Sequence, residues 1–276
     1  MTWISVLLVG LGVADLVRAG PAPRWSGHAA GLATVVAVAL LTQLTSTADV
    51  LALALCSLTV TGWIELSRRT QTTGRAAWAP LTVVLGALAL LVGFSGFASR
   101  PDGALGAWLR WADLPGAAAG VAPGRVLLLA GLMLLNLATA NVLVRLVLLA
   151  VGAMRPDAVR ASAGPQAADR LKGGRLLGPL ERLVILGLGL AGEYGAASVV
   201  IAAKGLLRFP EIQAAGRQPG DPRSPGAAGA IGAIGAASPP GRRPGGPVGI
   251  DDVTEYFLVG SFVSWLIALV SLAVAR

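Results

Sequence analysis

Seven stretches of this chain run almost without charge, at roughly 3–19, 29–45, 48–66, 78–98, 126–152, 179–204 and 254–275. About 20 consecutive apolar residues cross the ~30 Å hydrocarbon core of a bilayer as a helix. The pattern therefore predicts an all-α protein, a polytopic transmembrane helical bundle of about seven spans. Only TSTAD separates the second and third stretches, so they form a tight helical hairpin. The segment GALGAWLRWADL is too short and too charged to span, and is expected to lie in the interface as a short amphipathic helix. Trp3, Trp25, Trp63 and Trp78 fall near span ends, where amphipathic rings prefer the interface. Trp265 falls mid-span and is expected inside the bundle or against lipid.

Three regions follow from this pattern: an N-terminal membrane region of five spans at 1–153, a polar loop at 154–178, and a two-span module at 179–276. The first stretch lacks a basic leader and a small-residue cleavage site, so it is read as a retained span. Within the module, Gly, Ala and Pro make up 25 of the 38 residues of 213–250, which predicts a disordered tether. The sixth and seventh spans, with the fifth beside them, are expected to form the core.

Composition sharpens the class. Of 276 residues, 55% are hydrophobic and 13% are charged, with a mean hydropathy of +0.72. Soluble domains carry about 25% charged residues, so the whole chain reads as membrane-embedded. One cysteine, Cys56, and one histidine, His28, exclude an intrachain disulfide, a thiolate cluster and a multi-histidine metal site. No cofactor is expected. The net charge of +8 resides in loops, where it points to anionic lipid head groups of the bilayer and possible membrane-protein partners, and away from nucleic acid. Twenty arginines against two lysines, with abundant Ala and Gly, fit a GC-rich bacterial genome and hence a bacterial cytoplasmic membrane. Arg18, Arg24, Arg68, Arg69 and Arg75 group on one side of seven alternating spans. The positive-inside rule then places the N-terminus outside and the C-terminus in the cytoplasm.

The candidate chemistry lies in the sixth stretch. Arg182 and Lys204 bracket 21 residues, or ~31 Å of helix, whose only charge is Glu193. Eleven-residue spacings put all three on one face, with Glu193 near the midplane. Gly187, Gly189, Gly192 and Gly195 invite close packing, so this is expected to be a central helix with Glu193 directed into the bundle. A carboxylate at that depth costs about 2.5–3.5 kcal/mol on insertion scales. It is expected to be protonated, to meet Asn136, Asn141 or Arg145 of the fifth span, or to line a wet cavity. Asp15 has Arg18 as its local partner, and Glu65 has Arg68 and Arg69. Asp251 or Asp252 caps the last span, with Glu255 and Tyr256 as candidate positions at the membrane surface. The GLGLAG run follows no strand, so its glycines read as packing positions, not a dinucleotide loop. No histidine, cysteine or second clustered carboxylate stands beside Glu193, so no catalytic residue is assigned.

Two stretches, GRLLGPLERLVILGLGLAGEYGAASVVIAAKGLLRFPEI and TEYFLVGSFVSWLIALV, resemble a family of bacterial integral membrane proteins of unknown function. The shared positions are Gly174, Arg175, Gly178, Glu181, Arg182, Glu193, Lys204, Arg208, Phe209, Glu255, Tyr256 and Gly260, about a fifth of the chain. The first helix keeps Ala14 and Asp15 but lacks the family's histidine. The resemblance implies a membrane bundle and supplies no activity. It allows Gln at the Glu193 position, which favours hydrogen bonding over proton carriage there. Three functions remain open: a structural or partner-binding membrane protein, a transporter or channel component for a proton, ion or small solute using Glu193, and a membrane enzyme acting on lipid through Arg182, Lys204 and Glu255.

Overall fold

The computed structural model describes residues 1–112, 115, 120–153, 174–203, 206 and 250–276, without the side chains of 174–176 and 250–257. Every regular element among them is helical. The helices are α1 (Thr2–Arg18), α2 (Ser26–Leu41), α3 (Thr47–Thr73), α4 (Trp78–Gly93), α5 (Gly103–Ala112), α6 (Pro123–Ala150), α7 (Gly174–Leu190), α8 (Tyr194–Ala203) and α9 (Ile250–Ala275). Three are long and apolar enough to cross a membrane: α3, α6, and α9 over Leu258–Ala275. The other predicted spans form shorter helices of 16 or 17 residues, except that the sixth is broken in two. The seven full-length spans of the sequence reading are thus reduced to three.

The core gathers around α1, not around the sixth and seventh stretches. This helix has no polar face, and a helix that is hydrophobic all round is stable only when surrounded. Thr2 through Gly12, Ala14 and Asp15 are all buried. Its small residues permit the enclosure. Gly10-x-x-x-Ala14 faces Gly27-x-x-x-Gly31 of α2, and a Cβ on Gly31 would stand 3.3 Å from the Gly10 carbonyl oxygen and 2.7 Å from Val60 Cγ1. On the α6 side, a Cβ on Gly12 would stand 2.5 Å from Leu134 Cβ and 3.1 Å from its backbone carbon. Backbones at such separations gain dispersion contacts that a larger residue would prevent.

Two tryptophan–aspartate bonds fasten α1 to α3. Trp3 Nε1 donates to Asp49 Oδ1 at 2.7 Å, and Trp63 Nε1 donates to Asp15 Oδ2 at 2.9 Å. Trp3 and Trp63 are therefore buried donors rather than interfacial rings, whereas Trp25 and Trp78 are exposed as expected. Asp49 also accepts from the Ser46 and Ser99 backbone amides and completes a capping box with Ser46. That box ends the α2–α3 hairpin and ties the 98–102 loop to it.

Pairs such as these fix helix directions. Residues 3 and 15 meet 49 and 63, so α1 and α3 run the same way. Leu8 meets Gly131 and Gly12 meets Leu134, so α6 runs with them. Gly27 meets Ala14 and Gly31 meets Gly10, so α2 runs against α1. Asn136 meets Ser271 while Leu148 meets Gly260, so α9 runs against α6. Arg182 meets Ser264 and Gly189 meets Leu272, so α7 and α9 run the same way. Strict alternation would set α7 against α9 and α1 with α9. The pairing reverses both relations.

The expected tether at 213–250, apart from Ile250 at the start of α9, and most of the polar loop at 154–178 lie outside the described residues. The interfacial segment forms α5, with Trp108 and Trp111 exposed and Arg110 paired with Asp102 at 2.8 Å. Because Ile250 opens α9, Asp251 and Asp252 fall in its first turn rather than at the cap.

The packing makes a contrast between glycines. Gly12→Ala forces Leu134 backbone atoms apart and should destabilise the protein by about 1–3 kcal/mol, the range for overpacking. Gly187 has nothing near its Cβ position, so Gly187→Ala should be neutral or stabilising by up to about 1 kcal/mol of helix propensity. Thermal unfolding of the two variants in detergent reads the difference. Equal midpoints would mean that α1 and α6 do not approach so closely.

Candidate functional site

The buried polar groups converge on α6, where the backbone widens into a π turn at Leu135–Thr139. Such turns insert one residue into the helical ladder and redirect the side chains and carbonyls around them. Arg182 of α7 lies against this turn and is 2% exposed. Its Nε donates to the Asn136 carbonyl at 2.9 Å, one terminal nitrogen to Ser264 Oγ at 2.9 Å, and the other to Asn141 Oδ1 at 2.6 Å. One guanidinium thus joins α6, α7 and α9. All three acceptors are neutral. The adjacent Glu181 takes a different partner, accepting from Trp265 Nε1 at 2.8 Å. That bond explains the tryptophan in the middle of α9.

Asn136 continues the network. Its Nδ2 donates to the Leu132 carbonyl at 2.8 Å and to Ser271 Oγ at 2.9 Å. Ser271 in turn donates to the Ile267 carbonyl. A second buried cluster stands near the end of the π turn. Asp15, 4% exposed, accepts from Trp63 and from Arg18 at 3.0 Å, and Arg18 also reaches Ser67 Oγ at 3.3 Å. The Asp15–Arg18 pair is the one the sequence suggested. Thr139 of the π turn lies beside the Asp15 carboxyl but outside hydrogen-bonding geometry.

The predicted centre of the site is elsewhere. Glu193 is exposed, and the helix around it is broken. The break is a Schellman motif: Gly192 has φ +85°, its N–H bonds the Gly189 carbonyl at 3.2 Å, and the Glu193 N–H bonds the Leu188 carbonyl at 2.8 Å. Glu193 then opens α8, with the Ala197 N–H on its carbonyl at 3.1 Å. The continuous central helix with an inward carboxylate is therefore corrected to a capped helix end with an outward one. The small-residue argument fails for the same segment, since Gly187, Gly192 and Gly195 have open space where a Cβ would stand and only Gly189 meets α9.

The other expected positions divide similarly. Arg182 sits inside the bundle and not at an interface, because α7 begins at Gly174 and carries Arg182 to its middle. Asn141 meets Arg182 instead of Glu193, and Arg145 is exposed. Lys204 lies outside the described residues, and Glu255 and Tyr256 belong to α9 with side chains outside the description. Ser264, Ser271 and Thr139 join these clusters without any sequence motif to mark them. Their signal was position: Ser264 and Ser271 stand seven apart on one face of α9. Among the described residues, no three His, Cys, Asp or Glu side chains come together as a metal site would require. No family model, characterised protein or solved structure matches this chain.

Chemically, the arrangement binds and fixes. A guanidinium held by three directed bonds is immobile, and bonds to a charged group contribute about 1.5–3 kcal/mol each. Lysine keeps the charge but loses the planar fork. Arg182→Lys should therefore lower the unfolding free energy by about 2 kcal/mol or more, and Asn141→Leu by about 1.5–3 kcal/mol. Denaturation in mixed micelles measures both, and a wild-type midpoint for Arg182→Lys would remove Arg182 from the role described.

Proposed function

We propose that this chain is an integral membrane protein of structural or partner-binding kind, with a fixed polar interior and an outward site for a partner at the α7–α8 break. The observation that carries this reading is the exchange of roles between two charged residues. Arg182 occupies the interior and its three bonds are made within the chain, whereas Glu193 is exposed within an otherwise apolar stretch. A carboxylate at such a position in lipid favours a neighbour that supplies donors or positive charge. Tyr194 is half-exposed beneath the Arg276 guanidinium, 4.6 Å from its ring centroid, and the open backbone at Gly187, Gly192 and Gly195 leaves room for another helix to approach closely.

The same reading orients the protein. Arg18, Arg68, Arg69 and Arg75 gather at the end of the bundle where α1 and α3 finish, which the positive-inside rule assigns to the cytoplasm. The start of α1 then faces outward as the sequence suggests. Because α9 runs against α1, its C-terminal end faces outward too, in place of the cytoplasmic end first expected. Anionic lipid head groups remain the expected neighbours of the basic end.

Transport of a proton, ion or small solute through Glu193 has less support, because the carboxyl is directed away from the packed interior. The cleft of about 390 Å³ between α2 and α3 is lined mainly by apolar side chains such as Val35, Leu40 and Leu53. Lipid chemistry through Arg182, Lys204 and Glu255 loses its first member to the interior.

A photo-reactive residue at position 196 in native membranes tests the proposal. The expected result is one discrete protein adduct that is lost in Glu193→Lys and retained in Glu193→Gln. Adducts to lipid alone would overturn it. Reconstituted vesicles provide the complementary measurement: ion or proton flux that depends on Glu193 would favour the transport reading.

A further inference from the structure

We propose that the π turn of α6 is a binding site for ordered water, held at Asn136 Oδ1 and Thr139 Oγ1, which joins the Asp15 and Arg182 clusters into one buried polar path across the helix. Among the described residues these are the two buried side-chain oxygens without a hydrogen-bond partner. Asn136 is 0% exposed and Thr139 is 2% exposed. The inference does not depend on the functional reading above.

The amide of Asn136 cannot be turned to relieve its oxygen. Both Nδ2 protons have acceptors, the Leu132 carbonyl and Ser271 Oγ, and the Ser271 proton is committed to the Ile267 carbonyl. Exchanging oxygen and nitrogen would set Oδ1 against the Leu132 carbonyl. The oxygen therefore needs a donor from elsewhere. Arg182 stands next to the same residue, and its three bonds use three of the five N–H groups of a guanidinium.

Thr139 makes no bond back into its own helix because of the backbone. Hydroxyls inside helices normally donate to the carbonyl four residues earlier. Thr34, Thr42, Ser57, Thr59, Thr61 and Ser271 all do so here. The π turn displaces that carbonyl for Thr139 and leaves its hydroxyl beside Asp15. The turn thus carries two buried oxygens, the Thr139 hydroxyl beside a buried acid and the Asn136 amide oxygen on the residue whose carbonyl meets Arg182. Buried water makes about three hydrogen bonds to groups of this kind, and ordered water is a recurrent way of satisfying groups freed by a helix irregularity in membranes.

Water-edited solid-state NMR on the labelled full chain in lipid vesicles tests this. Thr59 is the internal control, equally buried at 2% and bonded back to Leu55. Magnetisation from water should reach Thr139 and Asn136 several-fold faster than Thr59. In Thr139→Val the rate at Asn136 should fall, since the path has lost a member. Transfer to Asn136 and Thr139 no faster than to Thr59 would overturn the proposal. An Asn136 rate unchanged by Thr139→Val would overturn the single path. The wild-type comparison stands alone if the variant fails to fold.

Discussion

A permanent positive charge enclosed among apolar helices constrains everything near it. Arg182 cannot shed its proton, and lipid offers it no hydrogen bonds, so acceptors have to converge from the neighbouring helices. Asn136, Asn141 and Ser264 do this from two helices at once. The consequence is positional. The π turn has to present its carbonyl, α9 has to place Ser264 at the right height, and α7 has to enter the bundle at mid-length. Shifting α9 by one residue would carry Ser264 and Ser271 away from Arg182 and Asn136 together. Buried polar groups thus set register where apolar packing alone would allow sliding.

The rest of the molecule is organised by a different force. Around α1 the helices approach through glycine and alanine, and the Trp3–Asp49 and Trp63–Asp15 bonds hold α1 and α3 in parallel. This module and the α7–α9 pair both pack against α6. The π turn stands where they meet, between Asp15 and Arg182, which makes α6 the common wall of two differently built halves.

Much of this was legible in the sequence, and the failures share a cause. Apolar runs mark the helices and their order, and the expected TSTAD hairpin closes with a Ser46/Asp49 capping box. The Asp15–Arg18 and Glu65–Arg69 pairs are local, so spacing alone revealed them. Counting depth from charge to charge puts Arg182 at an interface and Glu193 at mid-depth, whereas α7 carries Arg182 at its middle and ends before Glu193. The signal that would have corrected it is Gly192, whose place after an apolar helix is also that of a C-terminal cap. Small residues in α1 and in 187–197 look equivalent as composition. Which set packs depends on which partners carry matching small residues, and Gly27 and Gly31 of α2 and Gly131 of α6 supply the match for α1. The direct link between Arg182 and the π turn spans 46 residues and leaves no local trace.

The measurement that bears most directly on this account is a double-mutant cycle between Arg182 and Asn141, using Arg182→Gln and Asn141→Leu with unfolding free energies read in the same micelles. Groups joined by a buried bond to a charged donor should be non-additive by more than about 1 kcal/mol. Additive losses would contradict it, placing Arg182 away from α6 and leaving the polar interior without its centre.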